Sequence, residues 1–72
     1  MMEKLGSPRS LVYQQGTLKW NPVKNAIGYI VYDGEQILGT TTDASFPVSE
    51  VNYALKVSAV NRYGTQGKKG VL

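Results

Sequence analysis

Glycine and proline punctuate this chain so closely that little room is left for helix. Eight glycines and three prolines leave no clean run of helical period longer than about ten residues. What lies between them reads as strand. Leu11-Val12-Tyr13 runs to Gly16, and Thr17 to Trp20 alternates polar with apolar before stopping at Asn21-Pro22. Ile27 to Tyr32 is β-branched and aromatic and ends at Asp33-Gly34. Together with later runs, the pattern predicts about seven short antiparallel strands, at 11–14, 17–20, 27–32, 37–41, 45–48, 53–61 and 68–72. Pro47 confines the fifth to an edge or a strand end. Many short strands separated by turn signals imply an all-β sandwich.

Local patterning sets expectations for register. Asp33-Gly34 between two apolar runs predicts a two-residue type I′ hairpin with positive φ at both residues. That register places Ile30 opposite Ile37 and Tyr29 opposite Leu38. In the sixth strand, alternation puts Tyr53, Leu55, Val57 and Ala59 on one face, expected to be the core. Ala54, Lys56, Ser58 and Val60 take the other, which Lys56 and Ser58 mark as solvated. Trp20 alternates with Leu18 and is expected to face inward. Tyr13, Tyr32 and Tyr63 fall on outward faces or loops and are the candidates for stacking on sugar rings.

Composition narrows the chemistry. The 72 residues include no cysteine and no histidine, which removes disulfides, thiol nucleophiles, the usual zinc sites and any mechanism needing an imidazole. The carboxylates are Glu3, Asp33, Glu35, Asp43 and Glu50. Asp33 and Glu35 lie together at a hairpin tip, where a turn-forming aspartate is expected, and no serine or threonine has a base partner. No catalytic residue, cofactor site or metal site is therefore expected. The net charge of +3 comes from scattered basic residues, which do not form the clustered stripe of a nucleic-acid binder. Gly67-Lys68-Lys69-Gly70 has the form of a Gly-x-x-Gly backbone clamp, but that clamp joins two helices and none flanks it. The longest apolar stretch, Ala26 to Tyr32, is far shorter than the roughly 18 residues of a membrane span. No basic-then-apolar leader follows Met1, so no signal peptide is expected within the chain.

These motifs together resemble the fibronectin type III domain. The residues that carry the resemblance are Leu18-Lys19-Trp20-Asn21-Pro22, Gly28-Tyr29-Ile30-Val31-Tyr32, the run from Tyr53 to Asn61, and Gly64. Trp20, Tyr29, Val31, Tyr53, Leu55, Val57, Ala59 and Asn61 match the family's tryptophan, its Tyr-x-Val and its Tyr-x-Leu-x-Val-x-Ala-x-Asn run. The resemblance implies an immunoglobulin-like sandwich over residues 7–72, with 1–6 a disordered or cloning-derived extension. It also implies that Tyr53 forms a tyrosine corner. The chain is trimmed between Thr42 and Tyr53 and lacks an Arg-Gly-Asp loop, and its tight Asp33-Gly34 hairpin is similar to short bacterial versions appended to secreted polysaccharide-degrading enzymes such as pectate lyases. The function so implied is a non-catalytic accessory module, monomeric when isolated, in an extracellular, cell-surface or periplasmic protein. Its partner would be a neighbouring domain of the same polypeptide, contacted through Ile30, Ile37 and Val60. The alternatives are a carbohydrate-binding module, with polysaccharide as partner, and a protein-docking domain of a surface protein.

Overall fold

A computed structural model describes residues 5–72. Its elements are β1 (Val12–Gln14), β2 (Thr17–Lys19), β3 (Gly28–Asp33), β4 (Gln36–Thr41), β5 (Ser45–Pro47), β6 (Leu55–Val60) and β7 (Gly70–Val71). All pairings are antiparallel, in a three-stranded sheet ordered β1-β2-β5 and a four-stranded sheet ordered β4-β3-β6-β7. The all-β expectation holds, with two sheets compatible with a β-sandwich; β1, β2, β5, β6 and β7 are shorter than the sequence pattern suggests, and β3 and β4 are not.

The core collects alternate residues from both sheets, as period-2 patterning requires. Leu18, Trp20, Tyr29, Val31, Leu55, Val57 and Ala59 are all buried in one cluster. Trp20 meets Tyr29 edge-to-face, with ring centroids 5.3 Å apart and planes at 70°, a favoured arrangement for aromatic pairs. The Tyr29 hydroxyl accepts a hydrogen bond from the Val23 amide at 2.9 Å, so the ring is held at both ends. Leu5 and Leu11 belong to the same cluster. The packed domain thus begins before residue 7 and takes in Leu5, whereas Met1 to Lys4 of the expected extension lie outside the described residues.

Tyr53 is the exception among the expected core residues, being 91% exposed. It precedes β6 in a turn: the Asn52 side chain accepts the Ala54 amide at 2.8 Å, and the Asn52 carbonyl accepts the Leu55 amide at 3.3 Å. The turn interrupts the alternation, so Tyr53 and Leu55 no longer share a face, and no tyrosine corner forms there. Among the described residues, the tyrosine hydroxyl that donates to a remote backbone carbonyl is that of Tyr13, 2.8 Å from the oxygen of Val48.

The hairpins also differ from expectation. Gln15 and Gly16 both have positive φ, 49° and 77°, so the type I′ signature belongs to the β1–β2 turn. It pairs Tyr13 with fully buried Leu18, which places Tyr13 on the inner face rather than outside. At the β3–β4 turn only Gly34 is positive, at 62°, and the loop is Gly34-Glu35 with Asp33 opposite Gln36. That pattern is the type II′ one. The register moves accordingly: Tyr32 faces Ile37, Ile30 faces Thr40, Tyr29 faces Thr41, and Leu38 bulges out unpaired between Ile37 and Gly39.

Candidate functional site

Aliphatic side chains, Ile27 exposed and Ile30 and Val60 half-buried, gather on the outer face of the four-stranded sheet. Gly28 lies opposite Val60, and Ile30 lies opposite Ser58 on β6 and Thr40 on β4. Directly opposed residues share a face, and because Tyr29, Val31, Val57 and Ala59 are buried in the core, these residues point out. Ile30 and Val60 are diagonal neighbours, and Gly28 has no side chain to fill the space between them. A shallow trough of about 500 Å³ results, walled by Ile27, Ile30, Thr40, Thr42 and Val60. Ile37, 57% exposed, sits one row along, opposite Tyr32 and outside the trough. Of the three expected contact residues the structure therefore brings two together. It adds Ile27, 60% exposed, whose amide donates to the Val60 carbonyl at 2.8 Å.

Beside the trough the face is packed around Tyr32, while Ile37 and Val71 stay exposed on it. The Tyr32 ring is buried beneath the Lys69 ammonium, whose Nζ stands 4.0 Å from the ring centroid, within range of a cation–π contact. Its hydroxyl donates to Gln66 Oε1 at 2.7 Å, and Ser58 Oγ donates to the same oxygen at 2.8 Å. One amide oxygen has two lone pairs and can take both protons. Gln66 reaches this position because it bridges Val60. Ser58 is consequently fully buried, not solvated as alternation alone suggests.

The three candidate sugar-stacking tyrosines occupy different settings. Tyr13 is half-buried against the core, and Tyr32 has Lys69 on its ring. Tyr63 is 59% exposed in the β6–β7 loop, with the Arg62 guanidinium 5.1 Å from its centroid. Two further groups of residues emerge only in three dimensions. Asn61, fully buried, accepts the amides of Tyr63 and Thr65 at 2.9 and 3.0 Å and so holds the β6–β7 loop in shape. Gly67 and Gly70 lie under the N-terminal segment: a Cβ on Gly67 would come 2.9 Å from Leu5 Cβ, and one on Gly70 would fall against the Pro8 carbonyl. The Gly-Lys-Lys-Gly sequence is thus a bed for the chain's own strap.

The described acidic residues do not all gather in one place. Asp33 and Glu35 flank the β3–β4 turn, Asp43 precedes β5 and Glu50 follows it, while Glu3 lies outside the described residues. Asp33 and Glu50 border a depression of about 350 Å³, where Asn52 Nδ2 donates to Asp33 Oδ2 at 3.4 Å. Among the described residues there is no group of three potential metal ligands. No protein-family model, curated protein or solved structure matches the chain.

Proposed function

We propose that this chain is a fibronectin type III-like accessory module that docks on a neighbouring domain of the same polypeptide. The sheet division supports the fold reading. Strands one, two and five face strands three, six and seven, as in immunoglobulin-type sandwiches, with the fourth strand carried beside the third. Six of the seven residues assigned to the core from the family motif lie in it. The observation that carries the functional reading is the trough at Ile27, Ile30 and Val60. A contiguous aliphatic hollow on the outer face of a sheet is costly to leave in water and is suited to contact with another domain. By the same resemblance, the neighbour is a polysaccharide-degrading enzyme of the pectate lyase kind, secreted by a bacterium, and the module itself performs no catalysis.

The test combines the chain with the domain encoded beside it. Amide shifts at Ile27, Ile30 and Val60 on adding that domain, with none on adding uronic-acid oligosaccharides, are the expected result. A reading frame that encodes no second domain would refute the proposal. Saturable sugar-induced shifts at Tyr63, the exposed one of the three candidate tyrosines, would replace it with the carbohydrate-binding alternative.

A further inference from the structure

The two sheets have four outer edges, and three of them are short or obstructed. β1 and β5 are three residues long, with Pro47 in β5, and β7 is two residues long beside Lys68 and Lys69. Shortness, proline and lysine are the usual devices that keep a sheet edge from pairing with foreign strands. β4 lacks all three. It is six residues long, forms one end of its sheet, and contains no charged residue or proline over Gln36–Thr41. Ile37 and Leu38 are both exposed on it. Only the bulge at Leu38 interrupts it.

Charge on β4 and the segments flanking it is one-sided, whereas Lys56 and Lys69 stand further in, against Tyr32 of β3. Residues 25–55 contain four of the five acidic residues and none of the eight lysines and arginines. Glu35 stands at one end of β4 and Asp43 just beyond the other, both exposed. A second copy pairing antiparallel through β4 would bring Glu35 of one chain against Asp43 of the other, a like-charge contact at both ends. A strand with basic residues at its two ends would instead meet a carboxylate at each.

We infer that the β4 edge is a docking site for an extended cationic peptide segment, which adds to the four-stranded sheet as a fifth strand. Backbone hydrogen bonds to the free edge supply the pairing, and the flanking carboxylates select the partner. On the outer face, alternate side chains of the added strand would lie beside Ile37 and Thr40, next to the wall of the trough. The inference rests on the sheet order and charge placement, not on the accessory-module reading.

Eight residue steps separate Glu35 from Asp43, roughly 26 Å at about 3.3 Å per residue, so a nonapeptide spans them. The probe is Lys-Thr-Val-Thr-Val-Thr-Val-Thr-Lys, compared with the same peptide carrying glutamate at both ends. Titration followed by NMR should give saturable shifts and slowed amide exchange confined to residues 36–42. The lysine peptide should bind about five-fold more tightly, as expected for two exposed ion pairs. The preference should fade between about 0.01 M and 1 M salt, as the screening length falls from about 30 to 3 Å. The double variant Glu35→Lys/Asp43→Lys changes only exposed side chains and should reverse the preference. Equal affinity for both peptides, shifts away from β4, or no binding at about 1 mM peptide would overturn the inference. So would concentration-dependent shifts at residues 36–42 without peptide, since the occupant would then be a second copy of the chain.

Discussion

Replacing Gly70 by alanine tests how the N-terminal strap is held. Gly70 lies opposite Val57, whose side chain is fully buried, so its own Cβ direction points into the sandwich. A Cβ there would abut the Pro8 carbonyl oxygen, with the carbonyl carbon 3.0 Å and Leu11 Cδ1 3.3 Å away. The obstacle is backbone, which cannot rotate aside as a side chain can, so the strap must retreat by about 1 Å before normal contact is restored. If it shifts and stays bound, overpacking of this kind costs about 1–3 kcal/mol. If it lifts away, Leu5 loses burial worth about 1.5–3 kcal/mol. Either route removes a large share of the roughly 4–11 kcal/mol expected for a domain of this size. With a urea slope of about 1 kcal/mol per M, the midpoint should fall by about 1–3 M. The control is a chain starting at Arg9, in which Pro8 is absent and Gly70→Ala should cost almost nothing, giving a coupling energy close to the full effect. A cost below about 0.5 kcal/mol in the full chain, or an equal cost in both chains, would refute the account.

Trp20→Ala should cost about 3–5 kcal/mol by opening a cavity beside Tyr29, enough to leave much of the population unfolded by near-ultraviolet circular dichroism. Tyr13→Phe should cost about 0.5–1.5 kcal/mol for the bond to Val48, whereas Tyr53→Phe should stay within about 0.5 kcal/mol; urea melts of the pair separate the two assignments. Asn61→Ala should destabilise by about 1–3 kcal/mol, because two loop amides lose their acceptor, and amide exchange at Tyr63 and Thr65 should accelerate.

The strands and most of the core were legible because their signal is local and repeated: Leu55, Val57 and Ala59 alternate without interruption, and Trp20 follows Leu18 with one lysine between. Tyr53 was misplaced because the same alternation was extended through residues that Asn52 bends into a turn. The register of the β3–β4 hairpin was missed because Asp-Gly satisfies two turn types that differ by one residue in where the loop begins. That single step moves Ile37 away from Ile30. Ser58 illustrates a different limit, since its burial comes from Gln66, which no spacing rule connects to it. The trough was half visible, through Ile30 and Val60, but Ile27 counted as the first residue of the third strand, and its position just outside β3 is set by the Val60 carbonyl. The bed formed by Gly67 and Gly70 requires knowing what passes over it, which depends on contacts between opposite ends of the chain.

Those contacts have a consequence for the order of events during synthesis. Leu5 leaves the ribosome well before Gly67, on which it comes to rest, and the Leu72 amide donates to the Leu55 carbonyl. Until the final strand has emerged, β6 has an open edge and the strap has nothing to lie on. The nascent chain therefore cannot complete its core piecemeal; closure is one late step that joins its two ends. Such long-range closure is slow compared with local structure formation, and throughout the wait the apolar side chains of the inner faces are exposed to neighbouring polypeptides.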